Sequence, residues 1–150
     1  MAHQTDTRES TNPNRPGADL FHSPVGFGVA LFSVTAPIHL LTDTETSITI
    51  AAITLALIGG AYIGFAVADG RPKVIWSELA VATLFGGAAV LGILLHWAAL
   101  PIGLALHAGW DLLHYNSHRF ARVPKWYVPF CVVYDLLAAG SLILLYGVLG

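Results

Sequence analysis

Five apolar stretches, separated by short polar breaks, follow a polar leader along the chain. Each stretch approaches the length of about 17–25 mostly apolar residues that a membrane-spanning helix requires. We place these helices at residues 24–41, 47–68, 74–96, 101 to about 118, and 127–149. The pattern therefore predicts an all-α fold, a polytopic membrane bundle of five transmembrane helices.

The fourth segment is the most polar of the five. It follows a break of only four residues, "WAAL" at 97–100, and begins with Pro101. Proline fits the first turn of a helix, where no backbone N–H is needed. A bundle of four spans, with this segment lying at the membrane interface, is the alternative.

Composition agrees with a membrane protein and divides the chain in two. The chain is 55% hydrophobic and 11% charged, against about 25% charged residues in soluble domains. Residues 1–20 are polar and are predicted to form a disordered cytoplasmic tail, whereas residues 21–150 form the transmembrane bundle. The net charge of −2 offers no basic surface for nucleic acid, and a single cysteine, Cys131, excludes an intrachain disulfide.

The basic residues predict the orientation of the bundle. With five spans, all of them fall on one side of the membrane: Arg8, Arg15, Arg71, Lys73, Arg119, Arg122 and Lys125. Short loops rich in Lys and Arg stay in the cytoplasm. We therefore expect a multi-pass protein of the cytoplasmic (inner) membrane, with its N-terminus inside and its C-terminus outside.

Ionisable side chains share one face of the fourth segment. A helix turns about 100° per residue, so the spacings i, i+4, i+7 and i+11 fall within an arc of about 60°. The residues at these spacings are His107, Asp111, His114 and His118. Such a stripe must face a protein interior or an aqueous cavity rather than lipid.

Neighbouring spans supply partners at a similar depth. At about 1.5 Å per residue, Asp111 lies about 12 Å inward from the basic loop and Asp135 about 15 Å inward. We expect Asp111, His114, Asp135 and Tyr62 to meet in the cytoplasmic half. Glu78 and His118 would lie nearer to the surface.

A metal site is the first interpretation of the stripe. His114 and His118 have the i, i+4 spacing that lets two imidazoles bind one ion, and His107 and Asp111 repeat it. Imidazole with carboxylate suits zinc, iron or copper. Asp135 and Glu78 would then serve as a further ligand, an orienting group or a general acid or base.

The reaction in that case would be metal-assisted chemistry on a lipid or another apolar substrate. Two other classes of protein fit the same stripe. Chains of Asp, Glu and His carry protons through transporters and channels. A non-catalytic accessory subunit would instead use the stripe as a polar network that fixes helix packing.

Some membrane functions are disfavoured by position. A retinal Schiff base needs a lysine within a span, whereas Lys73 and Lys125 lie in predicted loops. A bis-histidine haem needs two facing histidines, and His39 and His96 lie near the outer ends of their spans, far from His114.

Small residues mark two spans. The segments "GGAYIG" (59–64) and "GGAAVLG" (86–92) predict surfaces for close helix approach. They permit a homo-oligomer.

Residues about 59–140 resemble an uncharacterised family of small bacterial integral-membrane proteins. The resemblance rests on "YIGFAVADGR" (62–71), Glu78, "LHAGWDLLHY" (106–115) and "VPKWYVPFCVVYD" (123–135). It implies a membrane protein and no particular activity. A fainter similarity is to the membrane metallohydrolases that include alkaline ceramidases, which hold a metal with His and Asp inside seven spans and carry a serine-containing motif that is not visible here.

The orientation can be tested with a reporter fused after Gly150. Because five spans place the two termini on opposite sides, we expect the reporter to be active outside the cytoplasm. A cytoplasmic signal would contradict the five-span topology and favour the four-span alternative.

Overall fold

Five α-helices make up the part of the chain that the computed structural model describes, residues 23–150. They are α1 (Pro24–Leu41), α2 (Thr44–Asp69), α3 (Pro72–Leu94), α4 (Ala99–His114) and α5 (Tyr127–Ile143), which continues into a π-helical turn at Leu144–Val148. No strand occurs within residues 23–150, so the predicted all-helical fold is confirmed there. The predicted disordered tail, residues 1–20, lies outside the described residues.

The helix ends follow local chemistry. The Asp43 side chain caps α2 by accepting a hydrogen bond from the backbone N–H of Thr46 at 2.9 Å, and this bond lowers the pKa of Asp43. Gly70 ends α2 in the left-handed region, with φ 78°, where glycine carries no steric penalty. Pro72 then opens α3 at its first turn.

Four of the helices are long and apolar enough to cross a membrane, and they correspond to the first, second, third and fifth predicted spans. The fourth helix is shorter, with 16 residues. At 1.5 Å per residue it is about 24 Å long, less than the hydrocarbon core of about 30 Å. That α4 also crosses the membrane, which would make five spans in all, therefore stays a prediction.

The predicted helix to about His118 is wrong at its C-terminal end. α4 ends at His114, and Asn116 adopts φ 57°. A left-handed residue stops the helical hydrogen-bond ladder, and asparagine tolerates this conformation better than most side chains. His118 therefore lies in an exposed bend and does not extend the helical stripe.

α4 is the central helix of the bundle. α2 packs along α3, α5 packs along α4, and α1 covers α5, while α4 also contacts α2 and α3. Half of the residues of α4 are buried: Leu100, Pro101, Gly103, Leu104, His107, Ala108, Asp111 and His114. All five helices, α4 included, also expose large apolar side chains on their outward faces, as a lipid-facing surface requires.

Some glycines of this bundle lie at close helix contacts, whereas others lie in open space. A Cβ atom added to Gly59 would lie 2.8 Å from Cβ of Phe85, and one added to Gly92 would lie 2.5 Å from Cγ of Leu100. These two sites confirm the predicted close helix approach. Gly60 and Gly86, in the same two segments, have no atom within 4 Å of such a Cβ.

Two adjacent glycines provide a matched test of this packing. We expect Gly59→Ala to lower the free energy of unfolding by about 1–3 kcal/mol, because the new methyl group overlaps Phe85. Gly60→Ala should be neutral or stabilising by up to about 1 kcal/mol, because it adds helix propensity in open space. Unfolding of the detergent-purified variants measures both values, and equal effects would contradict the described α2–α3 contact.

Candidate functional site

One imidazole and two carboxylates meet where α4 packs against α5. His107 Nδ1 lies 2.8 Å from Asp135 Oδ2 and 3.6 Å from Asp111 Oδ2. The three side chains are fully buried, and each offers one ligand atom within 4.8 Å of the other two. We call His107, Asp111 and Asp135 the central cluster.

Two carboxylate oxygens of the central cluster have no hydrogen-bond partner among the described residues. They are Asp111 Oδ2 and Asp135 Oδ1, and both are buried. Buried polar atoms are nearly always bonded, because an unpaired one costs about 1–3 kcal/mol. The cluster therefore has spare coordinating capacity in the middle of the bundle.

Tyr62 links the cluster to α2. Its hydroxyl donates a short hydrogen bond to Asp111 Oδ1. Its ring also packs edge-on against His107, with ring centroids 5.6 Å apart, and lies 4.5 Å from the ring of His114. The predicted meeting of Tyr62 with Asp111 and His114 is confirmed.

A third buried acid, Glu78 on α3, has three hydrogen-bond partners. Its carboxylate lies 3.0 Å from Nε2 of His114, 3.2 Å from the indole nitrogen of Trp110 and 3.4 Å from the backbone nitrogen of Ala121. Glu78 is 0% exposed, although it lies only six residues after Pro72, near the N-terminal end of α3. We call Glu78 and His114 the acid–histidine pair.

Hydrogen-bond accounting gives the proton content of the acid–histidine pair. His114 Nδ1 lies 2.9 Å from the carbonyl oxygen of Trp110, which can only accept, so Nδ1 carries a proton. The contact between Nε2 and Glu78 then needs a second proton, either on the imidazole or on the carboxyl group. In both cases the pair is neutral overall and holds a proton within a hydrogen bond.

Arg71 fastens the loop that follows α4. Its guanidinium donates to the carbonyl oxygens of His118 at 2.9 Å and Phe120 at 2.8 Å, and it forms an ion pair with Asp69. The hydrogen bond to Asp69 raises the pKa of Arg71. The loop is thereby held over the pair, since the Phe120 ring lies 4.9 Å from that of His114.

An open pocket lies beside His114 at this end of the bundle. It has a volume of about 350 Å³ and is lined by His114, Tyr115, Asn116, Ser117, His118, Arg122, Val123, Lys125 and Val128. The pocket reaches His114, but the imidazole side chain itself is fully buried. His118 shares the pocket wall with it but is not part of the central cluster.

The six predicted site residues thus separate into three places. His107, Asp111 and Asp135 form the central cluster, and His114 and Glu78 form the adjacent pair. His118 is exposed in the loop. The catalytic and ligating roles assigned to these residues stay predictions.

Sequence reasoning missed the role of Trp110 and of the loop backbone. The indole N–H of Trp110 binds Glu78, and so does the main-chain N–H of Ala121. The position of Trp110, one residue before Asp111 and four before His114, placed it beside the stripe. The contact of Ala121 could not be predicted from its residue type, because nearly every residue has a backbone N–H.

Comparison with known proteins gives a family but no activity. A family model described as "Family of unknown function (DUF6010)" matches residues 22–146. No curated protein matches the chain, and neither does any solved structure. The fainter similarity to alkaline ceramidases therefore gains no support from these comparisons.

Removal of the Glu78 carboxylate tests the acid–histidine pair. We expect Glu78→Ala to lower the free energy of unfolding by about 3–5 kcal/mol, because it leaves buried donors of His114, Trp110 and Ala121 without an acceptor. The matched control Glu45→Ala, at an exposed site, should cost about 1 kcal/mol or less. Denaturant unfolding in detergent measures the difference, and similar losses in the two variants would refute the contacts.

Proposed function

The chain belongs to this family of unknown function, and we propose that its central cluster binds a divalent metal ion inside a membrane helical bundle. His107, Asp111 and Asp135 are the proposed ligands. His114 and Glu78 stand beside the site as the groups that exchange protons with it. This assignment moves His114 and His118 out of the ligand set that the sequence alone suggested.

The observation that carries the proposal is a pair of buried carboxylates that no described Lys or Arg neutralises. Two fully buried carboxylates, Asp111 and Asp135, face the same nitrogen of His107 at 3.6 and 2.8 Å. Two ionised carboxylates in a low-dielectric interior repel strongly, so the pair needs either a compensating cation or added protons. No Lys or Arg of the described residues forms an ion pair with them, because the ion pairs of Arg71 and Arg122 are made with Asp69.

The donor set is chemically suited to a metal ion. It consists of one imidazole and two carboxylates whose ligand atoms lie within 4.8 Å of one another. Imidazole favours zinc, iron or copper, and the carboxylates extend the range to manganese. The oxygen atoms that lack a protein partner, Asp111 Oδ2 and Asp135 Oδ1, provide coordination without breaking the bond between Tyr62 and Asp111.

A neighbouring side chain orients one of the proposed ligands, as is usual for metal sites. Tyr62 donates to Asp111 Oδ1 and fixes the orientation of that carboxylate. A bound metal ion would supply Lewis-acid chemistry and would activate a bound water. We extend the proposal to a lipid or apolar substrate, because four helices of the bundle suit a membrane and an open groove of about 190 Å³ is lined mostly by apolar and aromatic residues, among them Leu31, Ile58 and Tyr127.

Proton transfer is the second candidate function, and one observation favours it. The buried groups lie in series from Asp135 through His107, Asp111 and Tyr62 to the ring of His114, joined by two hydrogen bonds, a 3.6 Å ion-pair contact and a ring contact. His114 is the member of this series that lies beside the open pocket, although its imidazole is itself fully buried. In this case protons, rather than a metal ion, would supply the positive charge that the carboxylates need.

Elemental analysis tests the metal proposal. We expect the detergent-purified protein, prepared without chelator, to contain about one divalent metal ion per chain. The isosteric variants Asp111→Asn and Asp135→Asn should lose it, because each replaces a charged ligand with a neutral one. The control His118→Ala, at an exposed histidine outside the central cluster, should retain it.

The opposite results are equally specific. Absence of metal from the folded wild-type protein, even after incubation with zinc, iron or copper salts, would overturn the proposal. Loss of metal in His118→Ala alone would return the ligand site to the stripe expected from sequence. If no metal binds, proton flux into liposomes that Glu78→Gln abolishes would establish the second candidate instead.

A further inference from the structure

A basic groove lies at the turn between α2 and α3, next to the loop that follows α4. It has a volume of about 530 Å³ and is lined by Arg71, Pro72, Lys73, Val74 and Arg119. Three of these five side chains are cationic. The groove is separate from the central cluster and is not used by the proposed function.

The cations of the groove have unused hydrogen-bonding capacity. Neither the Lys73 nor the Arg119 side chain has an ion-pair or hydrogen-bond partner among residues 23–150. Arg71 uses four of its five N–H donors for Asp69, His118 and Phe120. One N–H of Arg71 and two complete cationic groups therefore remain for a ligand.

Nearby charges do not neutralise the groove. Asp69 is the acid that pairs at this turn, and it is already bonded to Arg71 and lies 3.7 Å from Arg122. The N-terminus of α3, which begins at Pro72, adds the positive end of a helix dipole. The groove thus presents a concentrated positive potential to an anion.

The position of the groove indicates where such an anion would come from. α2 ends at Asp69 and α3 begins at Pro72, and both helices are long and apolar enough to cross a membrane, so their short connection lies at a bilayer surface. Trp76, one turn into α3, is 70% exposed, as expected for an aromatic anchor at headgroup level. Phospholipid phosphates lie at this depth.

We propose that this groove binds the headgroup of an anionic phospholipid. The phosphate would accept hydrogen bonds from Lys73, Arg119 and the remaining N–H of Arg71, while the acyl chains lie along the apolar surface beside Trp76. A zwitterionic lipid fits less well, because its own ammonium group would face the same cations. Free phosphate shares the headgroup chemistry but lacks the acyl chains.

Lipid binding there would also stabilise the loop over the acid–histidine pair. Arg71 holds the carbonyl oxygens of His118 and Phe120, and Ala121 donates to Glu78. A headgroup that bridges Arg71 and Arg119 would tie the α2–α3 turn to this loop. The groove thereby connects the composition of the membrane to the order of the loop beside Glu78.

Native mass spectrometry of the delipidated full-length protein tests the site, with dioleoyl phosphatidylglycerol as the probe. We expect bound phosphatidylglycerol, and weaker binding of dioleoyl phosphatidylcholine and of inorganic phosphate. Each cation near a membrane surface contributes about 1 kcal/mol to anionic lipid binding, which corresponds to about fivefold in affinity. Lys73→Ala and Arg119→Ala should therefore each weaken phosphatidylglycerol binding about fivefold, and both should fold because their side chains hold no other residue.

Lys125→Ala is the matched control. It removes one exposed cation from the same end of the bundle but from the neighbouring pocket, so it should leave the affinity nearly unchanged. An equal loss in Lys125→Ala would mean diffuse attraction to a basic surface and would overturn the proposal. Equal binding of phosphatidylcholine, or phosphate binding as tight as that of phosphatidylglycerol, would also refute an anionic lipid site.

Discussion

The burial of two carboxylates around one imidazole is the constraint on which this bundle depends. Asp111 and Asp135 are fully enclosed and point at the same nitrogen of His107, an arrangement that a low-dielectric interior tolerates only with added positive charge. A metal ion and shared protons are the two ways to supply it. On either proposal the centre of the molecule is a binding site, and the apolar contacts around it would exclude water.

The short length of α4 follows from this constraint. A helix of 16 residues that carries His107, Asp111 and His114 would be a poor lipid-facing span on both length and polarity. Its polar face is covered by Tyr62, Glu78 and Asp135 from α2, α3 and α5. Its opposite face stays exposed through apolar side chains such as Leu106, Leu112 and Leu113. The neighbouring helices therefore supply the polar partners that the inward face of α4 requires.

The sequence predicted most of the fold because lipid imposes a strong pattern on a chain. The start and end of α1 and the starts of α2, α3 and α5 lie within three residues of the predicted ones, because each apolar stretch is bounded by polar or helix-starting residues such as Asp43 and Pro72. The extension of α4 to His118 failed because Asn116 takes a left-handed conformation, which helical periodicity does not encode. The depth of each acid was predictable from its distance along its helix. The partner of each acid was not predictable, because packing sets how far each helix is rotated about its axis. As a result Glu78 contacts His114, whereas Asp135 contacts His107.

The two buried sites share α4 and cannot be independent of each other. Tyr62 contacts both, by donating to Asp111 and by packing 4.5 Å from the ring of His114. A change of charge in the central cluster alters the field at His114, which lies one turn further along the same helix. The hydrogen bond between His114 and Glu78 lies within that field, because Glu78 contacts the same imidazole. The acid–histidine pair is therefore electrostatically linked to the buried carboxylates, whichever cation neutralises them.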